Sequence, residues 1–285
     1  MNAAQQSATL VGRTFSRWSD HEGQRLGAAL AFYTLLSAAP LMIFLLLAVS
    51  TFYGTDLVEK SLINYAQSVV GGTAAQLVQT FFASAHRPAH GTLAGIFAIT
   101  TLLFGASGAF SELRDDLNKM WDASPRSTGL FGILIQRAFA FLLVLAAGVL
   151  LLGLILLSTA VALIGKFFQG TFPIPPVFLD IVNFLVSFVV LMLVAALVFR
   201  YVPDRKLPWS ALRTGAAVSA ILLVIGKAAL GWYLGKAGVG SAYGAAGSVV
   251  AVAFWIYYSA QIFLLGAEFT YVWALHRHHE VYENK

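Results

Sequence analysis

The sequence predicts an all-α fold: a polytopic integral membrane bundle of six transmembrane helices, with a short amphipathic helical segment on its outer face. Three observations predict it. Apolar residues make up 59% of the 285-residue chain and charged residues only 11%, against roughly 25% charged in an ordinary soluble domain. Six apolar stretches recur along the chain, each near the roughly 20 residues that cross a hydrocarbon core of about 30 Å. The basic residues gather in alternate connections rather than on one surface. No polar block between the stretches is long enough to bury its own core, so residues 1–285 read as a single membrane domain.

The spans are expected at approximately 27–51, 92–111, 138–164, 178–199, 210–232 and 248–272, with tails at 1–25 and 274–285. Each must be helical, because an open strand leaves backbone groups unsatisfied in lipid. The first, AALAFYTLLSAAPLMIFLLLA from Ala28 to Ala48, contains Ser37-Ala38-Ala39, which resembles a signal-peptide cleavage site. The apolar run continues past Pro40 through LMIFLLLAV, too long for a signal sequence, so an uncleaved first span is expected. The third span, AFAFLLVLAAGVLLLGLILLSTAVALIG, is the least ambiguous, and the sixth is the most polar.

Six spans place both termini on one side, and the Lys and Arg distribution selects it. Thirteen basic residues fall on one face: three in the N-terminal arm, four between spans two and three, four between spans four and five, and two in the tail. The other face carries four (Lys60, Arg87, Lys166 and Lys236), with Lys227 inside a span. Both termini are therefore expected in the cytoplasm. The isoelectric point near 9.5 is then a topology signal, with anionic lipid as a secondary contact, and nucleic acid is not an expected partner. The chain has no cysteine, which excludes disulfides and thiolate metal sites.

Between the spans, residues 55–84 carry apolar side chains at helical spacing, interrupted by Gly71-Gly72. They predict two short amphipathic helices lying at the outer interface or capping the bundle. TFPIPPV at 171–177 predicts a rigid outer turn. The glycine-rich GKAGVGSAYGAAGS between spans five and six has the wrong spacing for a nucleotide-binding motif, and no strand precedes it. It predicts a flexible or re-entrant outer loop.

Polar groups inside spans are costly and tend to face a bundle interior or a hydrated cavity, so they are the candidate site. Tyr33, Ser37 and Pro40 share one face of span one, where Pro40 cannot donate to the Leu36 carbonyl and predicts a kink. In span two, Thr101, Gly105, Gly108 and Glu112 form a stripe of small residues that permits close helix approach and ends in a carboxylate. Tyr257, Gln261 and Glu268 share a face of span six. Glu112 and Glu268 should lie at similar depth near the cytoplasmic end, either binding a cation or relaying protons, or each tied to a basic residue of the rim, with Arg25, Arg114 and Arg137 as candidates. Lys227 stands about five residues from the outer end of span five, close enough for its ammonium to reach water. His86 and His90 flank Pro88, and HRHH at 276–279 belongs to a short solvated tail, so neither predicts a metal site. No nucleophile with a base, zinc motif or phosphate loop is present, and neither an enzyme nor a cofactor is expected.

LAFYTLLSAAP in the first span and YGAAGSVVAVAFWIYYSAQIFLLGAEFTYVW from Tyr243 to Trp273 resemble the YihY/BrkB family of bacterial inner-membrane proteins. FSELRDDLNKMWDASPRS after the second span keeps the same order, so the resemblance covers nearly the full chain. It implies a six-helix membrane protein without an assigned biochemical activity, in a family linked to virulence that has also carried a ribonuclease BN label. The family motifs fall on Leu30, Ala31, Tyr33, Leu36, Ser37 and Pro40, then on Tyr243, Gly244, Trp255, Tyr257, Gly266, Ala267 and Glu268. The ribonuclease label is not supported by the residues, which include no nuclease-type cluster of His and Asp. Two functions remain: a secondary transporter or exporter of a small solute or ion, with spans one, two and six lining its path, or a non-transporting protein that organises lipid or an envelope complex.

Overall fold

The computed structural model describes residues 3–37, 55–69, 72–85, 108–124, 142, 176–236 and 247–283. Pro40, Thr101, Gly105, Arg137, His86, His90, nearly all of the third expected span and the glycine-rich loop at 237–246 lie outside the described residues. Every regular element among the described residues is a helix. They are α1 (Ala3–Asp20), α2 (residues 23–37), α3 (Thr55–Val69), α4 (Gly72–Ala85), α5 (residues 108–120), α6 (Pro176–Tyr201), α7 (Trp209–Lys236) and α8 (Gly247–Glu283).

The N-terminal arm, expected only as a tail, is the helix α1. Its reason is periodic: Leu10, Thr14 and Trp18, spaced four apart, are buried on one face, and α1 packs against α8. A two-residue turn at His21 and Glu22 follows, with Glu22 in the left-handed region at φ 59°. Gly23 then opens α2, and a side chain there would collide with the Trp18 indole. Helix α2 thus starts four residues ahead of the expected span. Helices α3 and α4 pack against each other, with Val78 and Phe82 set against Leu62, Ile63 and Ala66.

Three of these helices are long and apolar enough to cross a membrane, over Phe184–Tyr201, Trp209–Gly226 and Val249–Arg277. Pro176 stands at the first helical position of α6, where its missing N–H costs nothing. At the other end of α6, the Lys206 ammonium donates to the carbonyls of Arg200, Tyr201 and Pro203 at 3.1, 3.4 and 2.9 Å. This satisfies carbonyls that a helix end leaves open. Ile181, Phe184, Leu185, Val189 and Leu193 leave an exposed apolar face along α6, the surface a helix presents to lipid rather than to water.

Helix α7 packs on both α6 and α8, and its contact with α8 is made by small residues. Ala211, Gly215, Ala216, Ser219 and Ala220 are buried. A Cβ on Gly215 would strike Thr270, and one on Gly266 would strike Ser219, so each helix supplies a glycine to the other's hydroxyl residue. Helix α8 runs 37 residues, about 55 Å at 1.5 Å per residue. It therefore continues well beyond the expected end at 272, because WALHRHHEVYE contains no glycine or proline to stop it. The main core gathers Leu117, Met120, Trp121, Phe199, Leu212 and Leu264 from α5 to α8.

Candidate functional site: a buried carboxylate fastened from outside its helix

Glu268 lies inside the apolar length of α8, and its side chain is 0% exposed. Burying a carboxylate alone is prohibitive, so it must be paired, and α1 with the turn that follows it supplies the partners. Arg17 Nε donates to Glu268 Oε1 at 2.5 Å, and His21 Nδ1 lies 3.1 Å from Oε2. The two residues are one helical turn apart and so share a face. Arg17 Nη2 also donates to Asp122 Oδ2 at 3.0 Å, and His21 Nε2 faces Asp122 Oδ1 at 3.4 Å. Two basic side chains therefore bridge two carboxylates, from α8 and from the end of α5. Both imidazole nitrogens face an acid, so a doubly protonated ring serves both while a neutral ring can donate to only one.

Local chain geometry places Asp122. Helix α5 ends in a Schellman turn, with Ala123 N–H donating to the Asn118 carbonyl at 2.8 Å and Asp122 N–H to the Lys119 carbonyl at 3.2 Å. Asp122 occupies the left-handed position at φ 47°, where glycine is usual. Its carboxylate points into the network. Partial burial works against its charge, but the Arg17 guanidinium and His21 beside it hold it below the usual carboxylate range. Burial likewise works against the Arg17 charge, and is outweighed by Glu268 and Asp122, so its proton is held more firmly than in water.

The same end of α5 is tied to two further elements. Trp121 Nε1 donates to the Ala267 carbonyl at 2.9 Å, next to Glu268. Arg205 Nη1 donates to the Trp121 carbonyl at 3.0 Å and to the Tyr271 hydroxyl at 2.8 Å. The Tyr271 ring is flanked by the guanidiniums of Arg17 and Arg205, each 5.0 Å from its centroid. Earlier on α5, Arg114 Nη2 donates to both carboxylate oxygens of Asp204 at 2.7 and 2.9 Å, while Asn118 exchanges two bonds with Asp204. An open surface depression of about 270 Å³ adjoins this joint, lined by Asp122, Ala123, Ser124, Asp204 and Arg205.

The structure places the expected site residues in several surroundings. Tyr33 on α2 faces Gly108 on α5, where a Cβ would meet its ring at 2.7 Å. Ser37 is buried and donates to the Thr34 carbonyl at 3.0 Å. Gln261 Nε2 donates to the Gln24 carbonyl at 3.0 Å and occupies the space beside Gly27. Tyr257 is half-buried on α8. Glu112 is half-buried, its carboxyl raised by burial and by Asp115 and opposed by Arg25, so its electrostatic neighbours differ from those of Glu268. Lys227 falls within α7.

The expected rim partner of Glu268 is corrected. Arg114 is engaged by Asp204 and Arg25 by Glu22, and Glu268 takes Arg17 and His21 instead. Sequence reasoning assigns Arg17 to orientation alone and leaves His21 and Asp122 without a role. The signal that could have found them is the four-residue spacing of Arg17 and His21 on a helix whose other face is apolar.

Fold and site together define a helical membrane protein in which ion pairs fasten α1 to the last-described membrane-length helix, α8, and to the end of α5. The chain belongs to the Virulence factor BrkB family, whose model matches residues 14–285. It is 27% identical over 259 residues to the Bacillus subtilis (strain 168) protein YfkH, whose name marks it only as ribonuclease-like, covering 89% of this chain and 91% of that one. It is similar to a UPF0761 membrane protein of Halorhodospira halophila, 28% identical over 253 residues, which covers 85% of this chain and 52% of the relative. A UPF0761 membrane protein of Chromobacterium violaceum is 27% identical over 254 residues, covering 86% and 57%. The chain thus spans little more than half the length of these two relatives. No solved structure matches it.

Proposed function

We propose that the protein is a secondary transporter or exporter of a small solute or ion in the bacterial inner membrane, with six spans and both termini cytoplasmic. In this reading, the cluster of Arg17, His21, Asp122 and Glu268 is its closed cytoplasmic gate. The observation that carries the reading is the pairing of Glu268. A fully buried carboxylate within a membrane-length helix is neutralised by side chains from α1, outside the three helices long enough to span. A partner on another span would be a fixed part of the bundle, whereas α1 can withdraw and present the carboxylate to a solute. Lys119 and Arg25, both holding Glu22, brace the turn on which α1 would pivot. No enzymatic step and no nucleic acid enter this reading.

The second reading, a non-transporting protein that organises lipid or an envelope complex, is favoured by a different observation. The α7–α8 contact is closed by reciprocal glycine packing, and the depression beside Asp122 is lined by none of Tyr33, Ser37, Gln261 or Glu268. Proteoliposome flux across a panel of ions and osmolytes separates the two. The transporter reading expects flux by wild type that Glu268→Gln alters by at least an order of magnitude. Flat traces for both proteins would leave the organising role.

A further inference from the structure

Beyond the gate, α5 carries a carboxyl group that the network does not use. Asp116 is 1% exposed, and its Oδ2 is buried without a hydrogen-bond partner among the described residues. The acids around it differ: Asp122 and Glu268 have Arg17, Asp204 has Arg114, and Glu22 has Arg25 and Lys119. On its own helix Asp116 faces two more acids, Glu112 one turn before and Asp115 beside it, and one cation, Lys119, which is engaged by Glu22. Across from α5, several described basic side chains are committed as well. Arg17 and His21 serve the gate, Arg25 serves Glu22, and Arg205 serves Tyr271 and the Trp121 carbonyl.

We propose that Asp116 is a proton-binding site, occupied when α5 is packed, and that its ionisation loosens α5 from the elements fastened to it. A buried carboxylate with one oxygen left without a donor is much costlier in an apolar core than the neutral acid. Ionisation must therefore draw in water or a cation, and Leu117 and Met120, both fully buried beside it, stand in the way. Burial, with Glu112 and Asp115, pushes the Asp116 carboxyl up to about 7. The switch thus works near neutral pH. Because α5 also carries Asn118 and leads directly into Trp121 and Asp122, its loosening would be felt by α1, α8 and the α6–α7 turn together.

The test requires no transported solute. Infrared spectra of the full chain in lipid, recorded from pH 5 to pH 9, are expected to show a protonated-carboxyl stretch that disappears with a midpoint near neutrality. Asp116→Asn should remove that band and Asp115→Asn should retain it. Hydrogen exchange of residues 108–124, corrected for the chemical rate, is expected to quicken severalfold across the same range in wild type and to be flat in Asp116→Asn. If Asp116→Asn does not fold, carbon-13 labelling of aspartate in wild type must still shift the titrating band. A spectrum without such a band, or with one that survives Asp116→Asn, overturns the site; pH-independent exchange in wild type overturns the loosening.

Discussion

At the scale of single residues, Glu268 is the most consequential group, because among the described residues its buried carboxylate pairs with Arg17 and His21 alone. Removing one end of such a pair costs about 3–5 kcal/mol, whereas exchanging both ends for apolar groups of similar volume is often neutral or better. Thermal unfolding in detergent is expected to place Glu268→Met and Arg17→Met both well below wild type, with the double variant above either. Additive losses in the double variant would mean that the two side chains do not act as a pair. Asp116 makes a separate prediction, in pH. Its folded carboxyl is raised from 3.8 to about 7, so the folded state binds the proton more tightly than the unfolded chain. Its contribution is therefore favourable at low pH, falls as pH rises from about 4 to 7, and is level above that. This difference in proton affinity corresponds to about 4 kcal/mol. Asp116→Asn should abolish this slope and exceed wild type at pH 8, as read by unfolding midpoints along a pH series.

At the scale of elements, the α7–α8 contact predicts a steep dependence on side-chain size. Gly266→Ala must displace Ser219, whose Cα also lies 3.3 Å from the new carbon, and overpacking of this kind costs about 1–3 kcal/mol. Gly12→Ala on α1 meets nothing within 4 Å and should be neutral or stabilising by up to about 1 kcal/mol. Unfolding midpoints of the two variants should therefore move in opposite directions or differ clearly, and equal midpoints would remove the packing account. The helices α6, α7 and α8 were legible in the sequence because length and hydropathy alone define a span. Their ends were less so: α8 outruns its apolar stretch, since hydropathy reports where lipid ends and not where a helix ends. Helix α1 escaped notice because its buried face is only Leu10, Thr14 and Trp18 amid polar residues.

At the scale of the whole molecule, the ion network was not legible for a different reason. Arg17 and Glu268 are 251 positions apart and Arg17 and Asp122 are 105 apart, so no local spacing announces them. The span pattern does predict the side on which they meet: reporter fusions within residues 112–137 should report the cytoplasm, and an external signal there would invert the proposed gate. The same separation bears on biogenesis. At roughly 5–20 residues per second, Arg17 and His21 leave the ribosome tens of seconds before Glu268 exists. Until α8 is made, Arg17 and His21 have Asp122 but not Glu268 as a partner. Docking of α1 on α8 is thus a late event, and a chain cut short before α8 would hold Arg17 and His21 through Asp122 alone.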